Sequence, residues 1–247
     1  MIEILSWATL VVAAIVFGAY VVRGMSGFGT SLVAMPLLVL IMPIHTAVPM
    51  MTVLGLCVGV MLGVRDRSHV RWDEFRRMLP PTLLGVFAGI GLFAWLDARF
   101  MQQLLGGFIV AYSLHTLASQ WLRPRAVKCS TRWAYPAGFA SSLVDSMFGG
   151  GGGPLVVMYM LGRGYEPVVF RATLAVLWLL ELVVRVAGYA LGGYYNRTVL
   201  LLGLLLIPVM LAGNRLGEAL SRSMSPQTFA RLIALILLAS GISLLLK

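Results

Sequence analysis

The sequence predicts an all-α polytopic membrane protein made of two repeats, each a glycine-broken helical hairpin followed by three transmembrane helices. Three observations carry that expectation: the composition, the length of the uncharged runs, and an order of motifs that occurs twice. Of 247 residues, 60% are hydrophobic and 11% charged, with a mean hydropathy of +0.92. Soluble domains carry about 25% charged residues, because their surface must be covered. Uncharged stretches recur at 4–22, 24–64, 78–96, 100–122, 172–180, 186–196 and 198–214. A bilayer core about 30 Å thick takes about 20 apolar residues as helix, and several of these runs supply them. The segment 24–64 is long enough for two passes, with the turn at Pro43 and His45.

In the first half the helices are expected at 5–23, 29–42, 45–64, 78–96 and 101–121. The second half repeats the order at 134–147, 154–163, 167–191, 198–219 and 227–246. "VRGMSGFGTS" (22–31) lines up with "VDSMFGGGGG" (144–153) at an offset of 122. Downstream the offset becomes 126, so that "IHTAVPMMTVLG" (44–55) faces "FRATLAVLWLLE" (170–181) and "GVFAGIGLFAWL" (85–96) faces "LAGNRLGEALSR" (211–222). Two repeats, 1–121 and 133–247, are therefore joined by a basic linker, 122–132.

The net charge of +10 could suggest nucleic acid, but its distribution argues otherwise. "RDRSHVRWDEFRR" (65–77) and "RPRAVKCSTR" (123–132) hold nine of the nineteen basic residues. Basic residues concentrate in cytoplasmic loops, which places both segments inside and leaves no nucleic-acid partner to explain. Arg163 and Arg171 flank one turn of the second half, and Arg215 and Arg222 another, against Arg197 alone between them. The same rule thus favours 163–170 and 219–226 inside, so the second repeat reads as inverted. "MIEILSW" is acidic rather than basic and does not read as a cleaved signal peptide. Cys57 and Cys129 suggest no disulfide framework, and the chain offers no metal cluster, nucleotide loop or cofactor motif.

Residues 146–154, "SMFGGGGGP", would break any helix, since glycine costs about 1 kcal/mol and proline about 3 kcal/mol in a helix interior. Non-helical backbone at membrane depth survives only where protein or a water-filled cavity satisfies it. A broken helix there presents free N–H groups and the positive end of a half-helix dipole, which together favour an anion. Paired breaks in corresponding places of two repeats point to a substrate site near the midplane. The expected pocket is Ser26, Gly27, Gly29 and Ser31 from the first break, and Gly150, Gly151, Gly152 and Gly153 from the second. Close helix packing through small residues is the competing explanation for such glycines.

At these residues the chain resembles the sulfite exporter TauE/SafE family. "GMSGFGTSLVAMPLL", "GGGGGPLVVMYMLGRGYEPVVFRATLA" and the ending "SPQTFARLIALILLASGISLLL" carry the resemblance over nearly the whole length. It implies a multi-pass carrier of the bacterial inner membrane that exports small sulfur-containing anions such as sulfite or organosulfonates. The expected partners are that anion, membrane lipid and at most a second copy of the chain.

Charged residues at membrane depth are functional candidates. Arg171 lies in the family-like "FRATLA", where its fork could hold an oxyanion or mark the cytoplasmic side, and His45 is its counterpart. Glu181 and Arg185, one turn apart on one helix face, read as an ion pair neutralising itself in the interior. Asp145 and Arg23 occupy matching places before their breaks, and read as paired to each other or, for Asp145, as a proton-coupling group. A rival reading takes "GMSG" (24–27) as the GxSG of an intramembrane serine protease, with Ser26 as nucleophile and His45 or His115 as base. Phe148 at the position matching Ser26, and the duplication itself, speak against an enzyme.

Overall fold

The computed structural model describes residues 7–27, 29–63, 67–122, 129–220 and 226–246. Phe28, most of the 122–132 linker and Arg222 lie outside the described residues. The described chain holds helices α1 (Trp7–Ser26), α2 (Thr30–Ile41), α3 (Ile44–Gly63), α4 (Trp72–Trp95), α5 (Ala98–Leu122), α6 (Ala134–Phe148), α7 (Gly153–Gly162), α8 (Pro167–Leu191), α9 (Arg197–Leu220) and α10 (Pro226–Leu245), and no strand. Four of them, α1, α4, α8 and α9, are long and apolar enough to cross a membrane on length and composition alone.

One boundary departs from the sequence expectation. Helix α4 begins at Trp72, two turns inside the basic segment expected to be loop. Asp73 and Glu74 lie in its first turn, where carboxylates favour a helix N-terminus. Glu74 is only 1% exposed. Its carboxylate accepts from Tyr159 Oη at 2.9 Å, Tyr165 Oη at 2.7 Å, Arg77 Nη1 at 2.9 Å and Arg163 Nε at 3.4 Å. Tertiary partners thus hold as helix what local charge made look like loop.

The chain divides into two compact units that interleave the sequence halves: Met1–Val48, Leu96–Arg125 and Arg197–Lys247 form one, Pro49–Trp95 and Ala126–Asn196 the other. In the first unit α1 runs parallel to α9 and α5 antiparallel to α10, while α2 packs against α1, α5 and α10. Seven apolar residues of α2 (Leu32, Val33, Ala34, Met35, Pro36, Leu38 and Val39) are buried. A helix apolar on every side belongs in a core, and at 12 residues α2 is too short to span a bilayer.

In the second unit α4 runs parallel to α6, and α8 packs on α4 and α7. Helices α6 and α7 form a hairpin that returns to the end it came from. The Cys129 N–H donates to the Gly162 carbonyl at 2.9 Å, and Ala134 shares a buried cluster with Tyr159 and Met160. Fifteen residues of α6 extend about 22 Å, less than the roughly 30 Å of a bilayer core. The glycine break lies at the tip of this hairpin.

Close backbone packing recurs in both units. A Cβ on Gly85 would lie 2.4 Å from the Phe139 carbonyl oxygen, and one on Gly89 2.7 Å from that of Leu143. In the other unit, Gly213 meets Phe17 O at 2.6 Å and Gly217 meets Val21 O at 2.2 Å. Phe17 and Val21 map onto Phe139 and Leu143 at the offset of 122, whereas the glycines map at 128 rather than at the 126 read from the sequence. Small residues four apart let helices approach this closely in a bilayer. We expect Gly217→Leu to lower the melting temperature in detergent, at an overpacking cost of about 1–3 kcal/mol. Gly91→Leu, where nothing lies within 4 Å, is the control. Equal melting of the two variants would remove the packing role.

Candidate functional site

The second glycine break is built from backbone conformations that side chains resist. Gly149 caps α6 in the left-handed region at φ 76°, and Gly150 and Gly151 follow at 138° and 122°. Gly152 returns to right-handed backbone, and Pro154 sits near the start of α7, where its missing N–H costs nothing. Gly152 is needed for a second reason: a Cβ there would lie 2.1 Å from the Ser141 carbonyl oxygen. A Cβ on Gly153 would lie 3.4 Å from the ring of Trp178 on α8, an ordinary contact.

A new α-helix begins with N–H groups that have no partner inside the helix. Here the chain supplies an acceptor of its own. Asp145, on the last turns of α6, takes the Gly152 N–H at 2.7 Å and reaches that of Gly151. The anion-favouring end of α7 therefore already holds a carboxylate.

Around this tip lies a buried polar cluster. Ser141, Ser142, Asp145 and Ser146 line one side of α6, all at most 6% exposed. Helix α8 answers with Trp178, Glu181, Arg185 and Tyr189 at helical spacing. Ser142 Oγ donates to Glu181 Oε2 at 3.2 Å, and Arg185 Nη1 lies 3.7 Å from Glu181 Oε1. Arg185 Nη2 donates to Thr52 Oγ1 on α3 at 3.1 Å, and the Tyr189 hydroxyl donates to the Ser146 carbonyl. Glu181 and Arg185 are each 2% exposed, and Asp145 is close enough to interact electrostatically with both. Two carboxyls share one guanidinium. The cluster is electroneutral only with one more positive charge, a proton or a cation.

The structure brings Gly150, Gly151, Gly152, Gly153, Asp145, Glu181 and Arg185 together. It does not bring Arg171 there. That side chain is exposed near the start of α8, at the end where the Thr173 hydroxyl accepts from the Arg71 N–H at 2.9 Å. Arg185 lies fourteen residues further, about 21 Å along the helix, and is the guanidinium beside the break. The remaining expected residues, Arg23, Ser26, Gly27, Gly29, Ser31 and His45, belong to the other unit. Gly27 and Gly29 adopt φ 84° and 88°, and Ser26 Oγ donates to the Val22 carbonyl at 2.8 Å. Sequence reading missed Ser142, Thr52 and Tyr189. Tyr189 continues the α8 stripe by one turn and was findable, whereas Thr52 and Ser142 carry no signal without the packing.

Comparison with known proteins gives the family of the chain. The family model "Sulfite exporter TauE/SafE" matches residues 12–244. A "Probable inner membrane transporter protein TsaS" of Comamonas testosteroni is 28% identical over 183 residues, covering 74% of this chain and 75% of that protein. No solved structure matches. With the match spanning both breaks and every described helix but the ends of the first and the last, the chain belongs to the sulfite exporter TauE/SafE family.

Proposed function

We propose that this membrane transporter exports small sulfur-containing anions, sulfite or an organosulfonate, across the bacterial inner membrane in exchange with or together with an ion. The observation that carries the reading is the glycine break before α2, with Gly27 and Gly29 at positive φ and the buried Thr30 at the helix start, alongside the buried two-carboxyl, one-guanidinium cluster at the second break. Amide donors and one arginine suit a compact oxyanion and disfavour an organic cation. The carboxyl not balanced by Arg185 offers a place for the coupling proton or cation. Positive-φ glycines mark a break in each unit, Gly27 and Gly29 in one and Gly149, Gly150 and Gly151 in the other. The antiparallel course of the counterpart helices α5 and α10 supports an inverted repeat, since Gly106 meets Leu244 and Leu245 while Ile109 and Val110 meet Gly241. The protease reading finds no support: the Ser26 hydroxyl donates to a backbone carbonyl one turn back, as serine commonly does in membrane helices.

Proteoliposomes test the proposal. Vesicles containing the protein should release trapped sulfite or a small sulfonate faster than empty ones, with a rate that depends on the pH difference across the membrane. Equal rates for every sulfur anion tried would remove the transport assignment.

A further inference from the structure

The two breaks correspond in register yet differ in charge. Gly24 packs on Gly217 of α9 as Ser146 packs on Gly89 of α4, which fixes the offset of 122 at the breaks themselves. Arg23 is then the counterpart of Asp145 (23 + 122 = 145). At the second break Asp145 answers the helix-start amides. At the first break the matching residue is a guanidinium, with five donors and no acceptor, and cannot do so.

The buried side-chain atoms without a hydrogen-bond partner among the described residues of the first break are a guanidinium nitrogen and a hydroxyl. Helix α2 starts at Thr30 after Gly29, an N-cap residue without a side chain to accept from its amides. Thr30 is 6% exposed, and its Oγ1 makes no hydrogen bond among the described residues. Arg23 Nε, one turn before the break, is buried and equally without a partner. Buried polar atoms are nearly always paired, and leaving one unpaired is costly. A positive helix end, a guanidinium and a hydroxyl that can donate all ask for the same thing. That is an acceptor-only ligand with several oxygens.

From this we infer that the first break, through Arg23, Thr30 and the amides opening α2, is where a small oxyanion is held, while the second break carries a resident carboxylate in its place. The duplicated breaks have divided the work. The inference rests on reading the protein as an anion carrier, but it concerns where an oxyanion sits and not which one.

Thermal shift in detergent tests it, because a ligand that binds only the folded state raises the melting temperature by mass action. The probes are sulfite, sulfate, thiosulfate, taurine, phosphate and acetate, each titrated against the unaltered protein, Arg23→Gln, Arg23→Lys and Thr30→Val. Arg23→Gln is expected to weaken the binding oxyanion at least tenfold, and Arg23→Lys to recover only part, because a lysine lacks the fork. Thr30→Val should melt at or above the unaltered protein without anion, since it removes an unpaired buried hydroxyl, yet weaken the anion several-fold. Should Arg23→Gln fail to fold, Thr30→Val and Arg23→Lys still decide. Undiminished oxyanion affinity in those two variants overturns the inference and leaves the transport reading untouched. Dependence on Arg23 and Thr30 for phosphate but for no sulfur anion upholds the inference and overturns the sulfur assignment. Binding of no oxyanion at all overturns both.

Discussion

Arg185→Ala is expected to lower the melting temperature in detergent by about 10 °C, whereas Glu181→Gln changes it by no more than 2 or 3 °C. The two residues form one pair at 3.7 Å, so a contact-by-contact view would assign them equal effects. Charge counting separates them. Asp145, Glu181 and Arg185 are all buried, with two negative groups against one positive. Removing the guanidinium strands both carboxyls where water does not reach, and breaking a buried pair in this way costs about 3–5 kcal/mol. For a chain of this size each kcal/mol moves the midpoint by about 2–4 °C. Arg185→Ala also leaves Thr52 Oγ1 without the donor it now has at 3.1 Å. Glu181→Gln does the opposite, leaving Asp145 and Arg185 balanced with no additional proton, and its amide still accepts from Ser142. Differential scanning fluorimetry of the two variants decides the matter. Equal destabilisation by both would mean that the pair, not the three-group cluster, sets the cost.

Much of this arrangement was legible in the sequence because membranes constrain it so strongly. Largely apolar runs bounded by glycine, proline or arginine set the limits of α2, α3, α7, α8 and α9 within three residues. Backbone that must satisfy itself in lipid has few alternatives to helix. The misplaced start of α4 has the converse cause: "RWDEFRR" looks solvated, yet Glu74 is buried by Tyr159 and Tyr165 from residues more than eighty positions away. No local window carries that. Arg171 drew attention through the family-like "FRATLA", but the guanidinium beside the second break is Arg185, fourteen residues further along α8. The role of Asp145 was hidden for a related reason. Its nearest partner is the Gly152 amide, seven residues on, and the contact exists only because three positive-φ glycines fold the chain back.

Gly151→Val is expected to cut transport at least tenfold while the protein still inserts and purifies as a folded species. Gly151 holds φ 122°, where a β-branched side chain is a strong outlier, so valine must move the backbone or bear about 1–3 kcal/mol of strain. Either route shifts the amides of residues 151 and 152 relative to Asp145, whose carboxylate sits 2.7 Å from one of them. The helices on either side do not depend on that geometry. Helix α6 is fixed on α4 through Gly85, Gly89 and Gly138, and the stem of the hairpin is fixed through Glu74. Damage should therefore stay at the tip and appear in function before stability. Gly164→Val is the matched control. Gly164 also has positive φ, 74°, with open space around it, but it lies in the turn at the stem and away from the charged cluster. Backbone strain alone would impair both variants alike. If the tip handles the coupling charge, Gly151→Val loses sulfite flux in proteoliposomes and Gly164→Val keeps most of it. Normal flux in the Gly151→Val protein would place the transport machinery elsewhere in the molecule.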